Sequence, residues 1–136
     1  MAKLHLKILT PEKEIYDGEV DEVIVPTESG EIGILPHHTN LMSQMVAGEL
    51  RIKDGGKTQI MATGSGLLQM ADNTLSIMTD LAENQEDINE KAAEEAKGRA
   101  EQALEQTLTD EEYAETLAAL EKSLAQLKVK RRHRVR

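Results

Sequence analysis

The sequence predicts an α+β protein: an N-terminal antiparallel β-sandwich or barrel over residues 1–82, then a C-terminal antiparallel two-helix hairpin over residues 83–136. Three observations predict it. Apolar and polar residues alternate in short stretches through the first half, whereas after Glu83 apolar residues recur at three- and four-residue spacing. Of the nine glycines, only Gly98 lies beyond residue 82. Finally, Thr109-Asp110-Glu111-Glu112 reads as a helix-starting capping box.

Leu4, Leu6 and Ile8 alternate with Lys3, His5 and Lys7, a half-buried strand that ends at Thr10-Pro11. A second extended stretch runs from Ile15 to Val25, with a break expected at Asp17-Gly18 and Val20, Val23 and Val25 facing inward. Residues 41–46 and 49–53 continue the strand pattern. Asp54-Gly55-Gly56 marks a tight hairpin turn, because such turns need positive φ. Lys57 to Thr63 returns as the partner strand, Gly64-Ser65-Gly66 marks a bulge or bend, and Asp72-Asn73 turns the chain from residues 67–70 into residues 75–78. Short strands at regular spacing, with no helical pattern between them, point to a sandwich or barrel.

Asn84 is the expected N-cap of the first helix, with Glu86 and Asp87 in its first turn, where acids favour the helix dipole. Ile88, Ala92, Ala96, Ala100, Ala103 and Leu104 form a narrow stripe of mostly small residues. In the second helix Tyr113, Leu117, Leu120, Leu124 and Leu127 form an amphipathic seam. An alanine-rich stripe covers such a seam poorly. The hairpin is therefore expected to be marginal and able to detach, open or extend when a partner offers a better groove.

The chain has no cysteine, which removes disulfides and thiolate metal sites. It has no Phe or Trp and two tyrosines, so its core must be aliphatic. The longest apolar runs are too short to span a bilayer, and the N-terminus lacks a signal-peptide core, so a membrane role is expected only through a partner. A formal net charge of −9 argues against nucleic acid. The charge is polarised: residues 82–127 carry 13 acids and 4 bases. Lys128, Lys130, Arg131, Arg132, Arg134 and Arg136 then follow without an acid. Clustered like charge of this kind marks an interaction tail; the plainer alternative is a basic helix end that satisfies its own dipole.

Gly30-Glu31-Ile32-Gly33-Ile34-Leu35-Pro36-His37-His38 is the densest concentration of backbone specialists in the chain. Two glycines permit a tight approach or a positive φ, Pro36 fixes φ, and the apolar residues anchor the segment. Glu31, His37 and His38 are left to face something else. A carboxylate and an imidazole on a held loop suit a polar interface. Two adjacent histidines without further ligands do not make a metal site, and no nucleophile–base pair accompanies them. The remaining glycines lack the strand–loop–helix context and the Lys-Ser/Thr of a phosphate cradle.

The pattern G-E-hydrophobic-G-hydrophobic-x-x-x-H closely resembles the loop near the start of the epsilon subunit of F-type ATP synthases. The resemblance extends over essentially the whole chain: strand-rich first half, Gly30–His38 segment, capped helical pair and length. It implies a ten-stranded sandwich at the foot of the rotor, set against the gamma subunit and the polar loops of the membrane c-ring. It also implies helices that fold down beside the sandwich or extend toward the alpha and beta catalytic subunits and block ATP hydrolysis. Glu31 matches a position facing the c-ring loops, and His38 matches the family's histidine in the rotor-facing region. The family often has glycine where this chain has His37. The last helix implies an inhibitory contact with an acidic segment of the catalytic subunits through Lys128, Lys130, Arg131, Arg132, Arg134 and Arg136.

Some bacterial members of that family bind ATP through an Ile/Leu-Asp-x-x-Arg-Ala motif. The matching stretch here begins Ile88-Asn89 and has Ala92 in place of the arginine. Without that guanidinium a charge-assisted phosphate contact is lost, so no tight ATP binding is expected, and no cofactor. The resemblance thus implies a non-catalytic rotor subunit, peripheral on the cytoplasmic face of a bacterial cell membrane. The rival readings are a free-standing adaptor or chaperone-like protein with a helical clasp, and a small hydrolase using Glu31, His37 or His38.

Overall fold

A computed structural model of the chain describes residues 2–132. Ten strands occupy the first part: β1 (Leu4–Leu9), β2 (Glu14–Val20), β3 (Glu22–Thr27), β4 (Gly30–Ile34), β5 (Leu41–Met45), β6 (Gly48–Asp54), β7 (Lys57–Thr63), β8 (Gly66–Ala71), β9 (Thr74–Thr79) and β10 (Ala82–Asn84). A 3-10 turn over Gln85–Asp87 leads to helices α1 (Glu90–Leu104) and α2 (Asp110–Arg132). The strands form one hydrogen-bonded sheet in the order β10-β7-β6-β3-β5-β8-β9-β1-β2, with β4 on the free edge of β3. All pairings are antiparallel except β1 with β9. The sheet folds over on itself, bringing β2 back against β6.

The enclosed core is aliphatic throughout. Leu4, Leu6 and Ile8 meet Val20, Val23, Val25, Ile34, Leu50, Ile52, Leu68, Leu75 and Ile77, with Met45, Met61 and Met70 filling the gaps. Both expected hairpin turns form, with Gly55-Gly56 (φ 60° and 81°) and Asp72-Asn73 (φ 51° and 60°) in the left-handed region. At Gly66 a side chain is sterically barred, because a Cβ there would sit 2.0 Å from the Met78 carbonyl oxygen.

The chain departs from its sequence reading in several places. Asp17-Gly18 does not interrupt β2; Lys7 pairs with Asp17 and Leu6 with Gly18, so the strand runs through. The corner lies at Asp21, whose amide donates to Lys53 O at 2.9 Å and whose carboxylate accepts from Gly55 N at 2.8 Å. Gly30 to Ile34 is a strand, so only Leu35–His38 is a turn. Asn84 closes β10, and its side chain accepts from Gln59 at 2.6 Å; it does not cap a helix. Asn89 takes that role for α1, accepting from Ala92 N at 3.0 Å. The capping box of α2 forms as expected: Thr109 N donates to Glu112 Oε1 at 3.0 Å, and Glu112 N donates to Thr109 Oγ1 at 3.1 Å.

The seam also differs. The buried residues of α2 are Ser123, Ala125, Leu127 and Val129, while Leu124 (44 % exposed) and Tyr113 (50 %) face outward. In α1 the buried alanines are Ala93 and Ala100, and Ala92 is exposed. The physical reason is a third partner. The periodicity describes two helices packed on each other, but the last turns of α2 are also laid across the outer face of β6 and β7. There Val129 joins Ala62, Ile88 and Ile60 in a second small core, separate from the sandwich interior.

Candidate functional site

Strand β6 presents Glu49, Arg51 and Lys53 to the outer face, because Leu50 and Ile52 point into the core. Arg51 pairs across the ladder with Ile24 of β3, and Ile24 pairs in turn with Gly33 of β4. Its side chain crosses β3 to reach Glu31, with Nη1 3.1 Å from Oε2 and Nη2 3.2 Å from Oε1. The same Nη1 donates to Glu49 Oε2 at 2.6 Å. Arg132, at the end of α2, approaches that Glu49 oxygen at 3.6 Å. Glu31, Arg51, Glu49 and Arg132 therefore form one continuous network running from the sheet edge to the helix end. The Glu49 hydrogen bond, opposed by partial burial and reinforced by Glu31, raises the Arg51 pKa above its ordinary value.

The network is graded in exposure. The Glu31 side chain is 50 % exposed and Arg51 20 %, whereas Glu49 is 5 % exposed because α2 lies over it. A buried carboxylate is tolerated only when its charge is met, and here two guanidiniums meet it.

The turn after β4 is held from outside. His37 adopts φ 63°, the left-handed conformation, which glycine adopts without strain. Its amide donates to Asn73 Oδ1 at 2.7 Å, and Asn73 Nδ2 donates to Lys3 O at 2.8 Å. Asn73 thus ties three segments together: the Leu35–His38 turn, the start of β1 and the β8–β9 hairpin. His38 is half-buried; its amide donates to Leu35 O at 3.1 Å, and its Nδ1 lies 2.8 Å from Thr39 O. Among the described residues no three His, Asp or Glu side chains are placed to share a metal ion.

The basic run of α2 is largely committed within the chain. Lys130 Nζ donates to Gln85 O at 3.1 Å, and Arg131 bridges Glu90 and Glu94 of α1 at 3.0 and 2.9 Å. These two carboxylates raise the Arg131 pKa, Glu90 contributing most. Lys128 is exposed beside Val46, Ala47 and Gly48. Arg134 and Arg136 lie outside the described residues. At the stretch matching the ATP motif, Asn89 is occupied as the cap of α1, and Glu83 accepts from Gln126 at 2.8 Å.

Of the residues singled out from sequence, the structure brings Glu31 and Arg132 into one network and leaves His38 on the separate turn. Arg51, Glu49 and Asn73 were not singled out. Glu49 and Arg51 did carry a signal, since opposite charges two residues apart on a strand share a face. Asn73 carried one only as a turn residue.

A closed sandwich that carries a surface charge network and a braced turn, with a helical pair laid against its outer face, defines the class: a β-sandwich joined to a docked helical hairpin. The family comparisons agree. The ATP synthase delta/epsilon chain beta-sandwich domain matches residues 3–85, and the delta/epsilon chain long alpha-helix domain matches residues 86–131. The chain is 38 % identical over 127 residues to the ATP synthase epsilon chain of Nitratidesulfovibrio vulgaris, covering 93 % of this chain and 95 % of that one. It is 34 % identical over 137 residues to the epsilon chain of Alkalilimnicola ehrlichii, covering 100 % and 98 %. The fold resembles a chain in the Euglena gracilis mitochondrial ATP synthase (OSCP/F1/c-ring), with a TM-score of 0.74, 23 % identity and coverage of 92 % and 79 %. A chain in the central stalk/c-ring of the Tetrahymena thermophila enzyme gives 0.66, 16 % identity and coverage of 93 % and 95 %.

The chain belongs to the ATP synthase delta/epsilon family. It is a non-catalytic accessory subunit of that complex. Among the described residues no helix is long and apolar enough to cross a membrane.

Proposed function

We propose that this chain works in the central stalk of an F-type ATP synthase, on the cytoplasmic face of a bacterial cell membrane. It links the gamma subunit to the polar loops of the c-ring during ion-gradient-driven ATP synthesis. The reading divides the labour near residue 82, with the sandwich as connector and residues 83–136 as brake. The observation that carries it is the end-to-end relation to epsilon chains, spanning both sandwich and helices.

Within this reading, Glu31 meets the c-ring loops from the exposed edge strand β4, and His38 lies on the rotor-facing turn that Asn73 braces. Lys128, Lys130, Arg131, Arg132, Arg134 and Arg136 contact the alpha and beta subunits in the extended state. Lys130, Arg131 and Arg132 must first leave Gln85, Glu90, Glu94 and Glu49, so the folded-down hairpin holds much of its inhibitory surface in internal contacts. Asn89 and Ala92 in the ATP-motif stretch support control of the hairpin without tight nucleotide binding.

The test is ATP hydrolysis by the reconstituted soluble sector, with full-length chain against a chain ending after residue 85. Faster hydrolysis with the short chain, coupling retained, is the expected result. Equal rates would remove the brake from the reading. Failure of both chains to join the complex would favour a free-standing adaptor.

A further inference from the structure

Glu49 is an outward-facing strand residue that should be wet, yet its side chain is 5 % exposed. It is buried because α2 docks over β6, where its ladder neighbour Ala62 lies under Val129. Its carboxylate is shared by one guanidinium from the sheet, Arg51 at 2.6 Å, and one from the helix, Arg132 at 3.6 Å. Arg51 is itself divided between this buried acid and the exposed Glu31.

Counting formal charges gives the direction of coupling. With α2 lifted, Glu31, Glu49 and Arg51 sum to −1, which attracts Arg132. Neutralising Glu31, by substitution or by a partner's cation, brings that sum to zero. Arg51 is then balanced by Glu49 alone, and Arg132 loses its net attraction to the sheet. Glu31 and Arg132 never touch, but each changes what Arg51 and Glu49 offer the other.

We propose that Glu31, Arg51 and Glu49 form a charge relay through which a cationic group binding at the exposed β4 edge loosens the docking of the C-terminal helices. By linkage, a docked hairpin weakens the site at Glu31 for such a cation. That the cation belongs to the rotor rests on the function proposed above. The relay itself is a property of the isolated chain, so its failure and the failure of the rotor reading are separable.

The test is amide hydrogen exchange on the isolated full-length chain in low salt. It compares the unsubstituted chain with Glu31→Gln, Glu49→Gln and the double variant. Glu22→Gln serves as control, since Glu22 pairs with Lys53 at 3.9 Å and belongs to no part of the relay. Glu31→Gln is expected to speed exchange in α1 and α2 by about twofold to fivefold, the range for ion pairs of this exposure. Amides of β8 and β9 and the Glu22→Gln chain should stay at the unsubstituted rate. In the Glu49→Gln background, which removes the carboxylate that Arg132 reaches, the effect of Glu31→Gln should shrink. Arg132→Gln supplies a second background, with the same expectation, where Glu49→Gln disturbs the sheet. The relay is overturned if Glu31→Gln matches the control, slows exchange, speeds β8 and β9 equally, or acts undiminished in both backgrounds.

Discussion

Replacing Val129 by alanine tests what holds the helices against the sandwich. Val129 is fully buried in the small second core with Ala62 and Ile88, outside the sandwich interior. The substitution removes two methyl groups from a closed apolar contact. Lost transfer energy and the residual cavity together cost about 2 kcal/mol. If that core is the docking contact, the cost falls on hairpin opening alone, and slow-exchanging amides near the end of α2 should exchange about 30-fold faster. Amides of β8 and β9 should be unchanged. Leu124→Ala is the informative comparison, because the sequence seam gives Leu124 the larger role, whereas the fold leaves it 44 % exposed. It should shift exchange by no more than about twofold, as befits a surface substitution. Equal loss of protection in hairpin and sandwich for Val129→Ala would show one cooperative unit and refute the reasoning. A larger effect at Leu124 would refute the placement of α2.

Other expectations concern local devices. Hydrogen bonds from the Thr109 amide, then from the Thr109 side chain, hold the Glu112 carboxyl below the ordinary glutamate value. A depressed folded pKa gives stability that is present above the unfolded value and lost as pH falls through the folded one. Protection of the first turn of α2 should therefore fade at acidic pH, below the ordinary glutamate range, and Thr109→Ala should return the Glu112 titration, read by NMR, toward that range. Gly66→Ala should destabilise the whole sandwich by about 3 kcal/mol, seen in the denaturant midpoint, because the new Cβ meets the Met78 backbone carbonyl. Asn73→Ala should lose about 2 kcal/mol from two hydrogen bonds and a left-handed φ, with accelerated exchange at the His37 amide and a shifted His38 ring resonance.

Much of the fold was legible because its signals are local. Gly55-Gly56 and Asp72-Asn73 announce their turns through residues that accept positive φ, and the Thr109/Glu112 box sits within one helical turn. Gly30 and Gly33 were harder: they suggest a loop, yet the edge of β3 supplies Gly30–Ile34 with a ladder that composition does not reveal. Asn84 and Asn89 are equally good caps by type. What decides between them is that β7 claims residues 82–84 for pairing. The relay was illegible for a related reason. Glu49 and Arg51 alternate as solvent-facing residues should, and only the order β6-β3-β4 and the placement of α2 turn one into a buried acid and the other into a bridge.

The parallel pairing of β1 with β9 has a consequence for biosynthesis. β1 can zip onto β2 as soon as both have left the ribosome, but its other edge stays open until residues 74–78 emerge. An exposed strand edge with alternating aliphatic residues is a template for pairing with another nascent chain. The vulnerable interval therefore closes when β9 is delivered, well before α2 exists. A chain cut between β2 and β9 should aggregate, whereas one cut just beyond β10 has already sealed its first strand.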